Sequence, residues 1–154
     1  MSTRAIKFLR SKDATFEIIK YGHDRKGAVF AAQAMGFALE KTIKTLVVLL
    51  EKEQYALALV PGDRELDLKR MARAGEVKRV EIAHPAAAER LTSYKVGGIS
   101  PFGVAAPLPA FMESRLLSRD AVMINGGQRG TMLLMSPAEI SRLLNCIVAD
   151  IARL

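Results

Sequence analysis

The sequence predicts a mixed α/β fold, and three observations carry that prediction. Short strand-like runs and short amphipathic helices share the chain without the strict strand–helix–strand alternation of a doubly wound sheet. The clearest strand is apolar almost throughout, so it needs cover on both faces. The chain has 154 residues, half of them hydrophobic and a quarter charged, a balance that fits one globular domain spanning 1–154 and excludes a disordered chain.

Each element follows from local pattern. Thr3–Lys12 reads as a helix, with Ala5, Ile6, Phe8 and Leu9 at helical spacing and Ser2 or Thr3 as its cap. Thr15–Tyr21 reads as a strand broken by Gly22-His23-Asp24, and Val29–Met35 as a helix stopped by Gly36. Glu40–Thr42 forms a short further turn. Ile43–Leu50 and Tyr55–Val60 form a hairpin across Glu51–Gln54, closed by Pro61-Gly62-Asp63. Leu66–Ala74 is read as a helix ended by Gly75, Lys78–Ile82 as a strand, and Pro85–Leu91 as a helix opened by Pro85. Gly97–Gly103 must be a loop, because two adjacent glycines and a proline do not suit a regular interior. Ala110–Leu117, Ala121–Ile124 and Thr131–Met135 read as strands, with Gly126-Gly127 as a turn. Ser136, Pro137 and Glu139 mark a helix start with a capping box, running to about Leu144. Cys146–Ile151 closes the chain as a strand.

Composition limits the chemistry. The single cysteine, Cys146, excludes an intramolecular disulfide and a Cys-rich zinc site, and its apolar setting reads as core. His23 and His84 lack ligand neighbours at usual spacing, so no metal and no cofactor are expected. Asp24 beside His23 reads first as a polar loop pair. No apolar run approaches a membrane span, and no apolar signal segment follows Met1–Arg10, so the expectation is a cytoplasmic protein. The net charge of +7 suits either a polyanionic partner, nucleic acid first, or a solubility surplus.

Four features carry chemistry. Lys44 interrupts the apolar strand on the face of Leu46 and Val48. It either snorkels at the strand entry or sits at a pocket floor to meet an anion or carbonyl. The Gly97–Gly103 loop is either a structural turn or a set of backbone N–H groups for a developing oxyanion. Asn125–Gly130 is a glycine hairpin carrying Arg129. Lys69, Arg70, Arg73, Lys78 and Arg79 gather around one helix as a phosphate-tracking patch or a solvated face. The patch is favoured because Leu68 and Met71 should turn inward.

Taken in order, Lys44–Val48, Val60–Asp63, Leu66–Lys69, Gly97–Gly103 and Asn125–Gly130 resemble the YbaK family, the free-standing relatives of the editing domain inserted in bacterial prolyl-tRNA synthetase. Tyr21–Asp24 and Val148–Ile151 extend the resemblance over nearly the whole chain. The resemblance implies a curved, barrel-like mixed sheet flanked by helices. It implies hydrolysis of mischarged aminoacyl-tRNA, typically a small wrong amino acid such as cysteine on proline tRNA. A cysteine-specific member would let the substrate thiol attack its own carbonyl and cyclise. Lys44, Gly97 and Gly98 take the catalytic positions by this likeness. Tyr21, His23, Ser100, Pro101, Asn125, Gly126 and Arg129 take the substrate-binding ones. The aminoacyl-tRNA acceptor end is the implied partner, with prolyl-tRNA synthetase as a candidate second. Two departures bear on specificity: Asn125 stands where many cysteine-type members carry serine, and Met132 where they carry aspartate. The rival expectation is a non-catalytic tRNA-end or synthetase-associated binding module.

Overall fold

The computed structural model describes residues 2–20 and 37–154. Tyr21, His23 and the helix expected over Val29–Met35 lie outside the described residues. The architecture is mixed α/β, as expected. Helix α1 (Arg4–Ser11) starts at Thr3, whose hydroxyl accepts from the Ile6 N–H, and buries Ala5, Ile6 and Leu9. Strand β1 (Glu17–Lys20) follows. A 3-10 turn (Leu39–Lys41) leads into β2 (Ile43–Leu49), which turns back as β3 (Tyr55–Pro61). The short β4 (Glu65–Leu66), α2 (Leu68–Ala74), the short β5 (Glu81–Ile82) and α3 (Pro85–Thr92) come next. Strand β6 (Ala110–Glu113) passes into a 3-10 turn (Ser114–Ser118). The chain ends with β7 (Val122–Gln128), β8 (Thr131–Met135), α4 (Pro137–Leu144), β9 (Ile147–Ala149) and β10 (Ala152–Arg153).

A five-stranded mixed sheet has the order β5-β2-β3-β6-β9, antiparallel over its first three strands and parallel over its last three. An antiparallel sheet has the order β1-β8-β7, and β10 pairs with β4. The two larger sheets meet where Thr42, at the entry to β2, bridges Met123 of β7. Alternation in β2 and β3 then sorts the core. Val48, Ala56, Ala58 and Val60 face Met71 of α2, Phe111 and Ile151. Ile43 and Leu59 face α1, α4 and the β7–β8 hairpin, while Val47 and Leu57 face Ala88 of α3.

Several expected boundaries move, each because of a distant partner. Leu66 lies in β4 rather than in a helix, since it pairs with Ala152, and Asp67 caps α2 through the N–H groups of Lys69 and Arg70. Leu68 is exposed rather than inward, and Ala72 joins Met71 on the buried face. The strand expected over Lys78–Ile82 shrinks to Glu81–Ile82. Gly126 and Gly127 are not a turn but lie within β7. The register slips between Asn125 and Gln128, and Gly127 takes a φ of 101° that a side chain would disfavour. Ser136 caps α4 through the Glu139 N–H, while the Glu139 carboxylate pairs with Arg142.

The remaining two changes centre on Glu113, whose side chain is fully buried. It ends β6 by accepting from the Arg115 N–H, which cuts short the strand expected to Leu117. Its other carboxylate oxygen accepts from the N–H groups of Ile151 and Ala152 at 2.8 and 2.9 Å. That grip ends the expected Cys146–Ile151 strand at Ala149, as β9, and a separate β10 follows at Ala152–Arg153. Burial pushes the Glu113 carboxyl up, but the three N–H groups and the Arg115 guanidinium outweigh it and hold the carboxyl below its ordinary range. A depressed carboxylate contributes stability above its unfolded pKa and loses it as pH falls through the folded value. Glu113→Ala should therefore cost about 3–5 kcal/mol in urea unfolding near neutral pH, with the difference from wild type shrinking in acid. An unchanged midpoint would remove Glu113 from this role.

Candidate functional site

A cavity of about 360 Å3 opens beside β2, within the range of small-ligand pockets, which begins near ~300 Å3. Ile43, Thr45 and Val47 of β2 form one wall, with Lys44 and Leu46 contributing. Ile82, Ala83, Pro85 and Ala88, from β5 and α3, form a second. Gly97 and Ile99 close it from the glycine loop, and Asn125 and Met132 from the β7–β8 hairpin. Asn125 and Met132 face each other in the ladder, so they share one patch of wall.

The glycine loop is pinned along its length. Asn125 donates its amide to the Gly97 carbonyl at 3.3 Å, and its carbonyl oxygen accepts from the Gly127 N–H at 2.7 Å. The Ser100 hydroxyl accepts from the Phe102 N–H. The Tyr94 hydroxyl donates to the Phe102 carbonyl, and Arg4 of α1 donates to the Gly103 carbonyl at 2.9 Å. Burial pushes the Tyr94 phenol up to about 12, so it stays protonated and keeps donating. The cap of α1 is tied in as well, since the Thr3 hydroxyl donates to the Gly126 carbonyl.

Lys44 is half-buried and lies on the strand face of Leu46 and Val48, as alternation requires. Its ammonium donates to the Arg64 carbonyl. Burial lowers the Lys44 pKa from the ordinary lysine range, and the nearby Glu65 and Asp63 carboxylates partly restore it. The Lys44 stem lies in the wall and its head at the strand entry, so the ammonium stands at the edge of the cavity.

The structure thus brings Lys44, Gly97 and Asn125 to one cavity. Gly98, Ser100, Pro101 and Gly126 are buried behind the lining, and Arg129 is exposed at the hairpin tip. The expectation of open N–H groups fails at Gly98, whose N–H donates to the Lys95 carbonyl at 2.8 Å. Lys69, Arg73, Lys78 and Arg79 are exposed. Arg70 is held by Asp67, Asp150 and the Ala152 carbonyl, so it serves the fold. Cys146 is partly buried, and burial raises its thiol to about 11, which suits its reading as inert. Among the described residues no cluster of His, Cys, Asp or Glu could hold a metal ion. No described helix is long and apolar enough to cross a membrane. Sequence reasoning missed the Ile82–Ala88 wall and Thr45. The alanine run after Pro85 was the available signal for the wall, since small residues leave room where a helix borders a cavity.

Comparison with known proteins agrees with this fold. The family described as aminoacyl-tRNA editing domain matches residues 24–143. A protein of Enterococcus faecalis, provisionally named Cys-tRNA(Pro)/Cys-tRNA(Cys) deacylase EbsC, is 32% identical over 131 residues, covering 85% of this chain and 80% of that one. The multifunctional Ser/Thr-tRNA deacylase ProXp-y of Escherichia coli K12 is 27% identical over 145 residues, covering 91% and 86%. A crystal structure described as a provisional trans-editing enzyme for prolyl tRNA synthetase superposes with a TM-score of 0.89 at 29% identity, covering 98% of this chain and 96% of that one.

A Cβ at Gly98 would lie 2.9 Å from the Gln128 Cα and 3.0 Å from the Arg129 N, both backbone atoms that cannot step aside cheaply. Gly98→Ala should cost about 1–3 kcal/mol by chemical denaturation, as overpacking does. A midpoint equal to wild type would mean that the loop and the hairpin are not in this contact.

Proposed function

We propose that this chain, which belongs to the aminoacyl-tRNA editing domain family, works in trans as a deacylase that releases a small wrong amino acid, cysteine or one of similar size, from proline tRNA. The observation that carries the proposal is the cavity, which is of ligand size, largely apolar, and edged by Lys44, Gly97 and Asn125. The names of its relatives support the reaction class. The provisional trans-editing enzyme supports prolyl-tRNA synthetase as a second partner.

The reaction is hydrolysis of one ester. Water adds to the aminoacyl carbonyl, the terminal ribose oxygen leaves and takes a proton, and free amino acid and tRNA separate. Among the described residues the lining holds no histidine, carboxylate or cysteine. The described residues, in this reading, supply orientation and electrostatics, and water or the substrate supplies the attacking group. In this reading the apolar walls hold the amino acid side chain, and the pinned Gly97 backbone positions the ester. Lys44 presents its cation to the polar end of the aminoacyl-adenosine. Met132 cannot form a charge-assisted bond with the substrate amine, as an aspartate there could, so the pocket selects by size and shape more than by charge. The exposed Lys69, Arg73, Lys78 and Arg79 follow the phosphates of the acceptor stem.

The test is a deacylation panel of cysteinyl, seryl, alanyl and prolyl groups on proline tRNA. Wild type should release at least one small wrong residue and spare proline. Lys44→Ala should slow that release by about 100-fold or more, the scale of losing an electrostatic contact to the reacting end, with an unchanged melting temperature. Equal rates in wild type and variant would overturn the role of Lys44. Binding without turnover across the panel would favour the binding-module reading instead.

A further inference from the structure

The described buried side-chain oxygens are hydrogen-bonded with one exception. Thr42 donates to the Leu39 carbonyl, Thr92 to the Ala88 carbonyl, and the Thr131 hydroxyl accepts from Lys20 at 2.8 Å. The Thr45 hydroxyl is enclosed and has no partner among the described residues. Thr45 lies on the β2 face of Ile43 and Val47, opposite Leu59 of β3, in the cavity wall. The wall's other polar side chains are engaged, Asn125 with Gly97 and Gly127, and Lys44 with Arg64.

A shielded, unpaired hydroxyl costs stability that valine, of nearly the same shape, would not. Thr45 is partly exposed although its oxygen is enclosed, so the accessible part is the rest of the residue. A rotation of one stagger about χ1 moves the hydroxyl to the place the methyl or the hydrogen held on Cβ, so a second rotamer can present the oxygen to the accessible side of the residue. A ligand bearing a donor or acceptor at that depth would supply the missing partner. An apolar ligand of the same size would not. A site built this way discriminates strongly, because the wrong ligand leaves a buried polar group unsatisfied.

We propose that Thr45 is a specificity-determining residue, and that its hydroxyl pairs with the β-hydroxyl of a seryl or threonyl group held between Ile43, Val47, Ile99 and Met132. A thiol is the weaker partner, since S–H donates and accepts poorly. The inference rests on the deacylase reading above and adds which side-chain chemistry the cavity favours and which residue reads it.

The test compares wild type, Thr45→Val and Thr45→Ser on seryl and alanyl groups carried by the same proline tRNA, two substrates that differ by one hydroxyl. Wild type should favour the seryl substrate. Thr45→Val should lower the seryl-to-alanyl ratio of kcat/KM by about tenfold, and Thr45→Ser should keep the wild-type ratio. Thr45→Val should also melt at or above wild type, because it removes an unpaired group. A seryl-to-alanyl ratio unchanged in Thr45→Val would overturn the proposal while leaving the deacylase reading intact. A marked fall in its melting temperature would do the same, by revealing a partner in the free protein. Wild type inert on both substrates and on the cysteinyl control would defeat the deacylase reading and this proposal with it.

Discussion

Strand β2 is covered on both faces, and the site depends on that constraint. An apolar strand in the second position of a five-stranded sheet sends successive side chains to opposite compartments. Val48 goes to the core beneath α2, and Ile43 and Val47 go to the core beneath α1 and α3. Residues 44 and 45 inherit the same division. Lys44 reaches the strand entry and the Arg64 carbonyl, while Thr45 faces the cavity wall. A cation at the edge and a hydroxyl within are therefore one strand's alternation applied to two polar residues.

The opposite wall needs a different solution, because a glycine loop has no strand to hold it. Asn125, Tyr94 and Arg4 tie its carbonyls to a hairpin, to the residue run after α3, and to α1. Close backbone contact at Gly98 completes the seat. Orientation can carry hydrolysis only if the parts that touch the ester are rigid. Met132 adds an apolar side chain to the facing wall, where Asn125 is the hydrogen-bonding group.

Much of this was legible in the sequence where the cause was local. The β2–β3 hairpin, the Thr3 and Ser136 caps, and Pro85 at the head of a helix follow from neighbours a few residues apart. Leu66 went wrong because its partner is Ala152, and the end of the Cys146–Ile151 strand went wrong because its cause is Glu113. Gly126 and Gly127 read as a turn because a bulge inside a strand uses the same residue type. In the site, Lys44, the Gly97 loop and Asn125 stood out through motif order. The Ile82–Ala88 wall did not, since apolar residues have no chemical signature until a fold shows what they border. Thr45 was hidden for another reason: only the environment reveals that a hydroxyl has no partner.

The central claim is that the cavity beside β2 receives the aminoacyl end of a tRNA. The most direct measurement is methyl NMR on protein labelled at methionine, isoleucine and alanine, titrated with an amide-linked, non-hydrolysable seryl-adenosine. The account predicts that Met132, Ile43, Ile99 and Ala88 shift together and saturably while Met71, on the opposite face of the sheet, stays in place. Shifts absent from those cavity methyls, or centred on Met71, would contradict it.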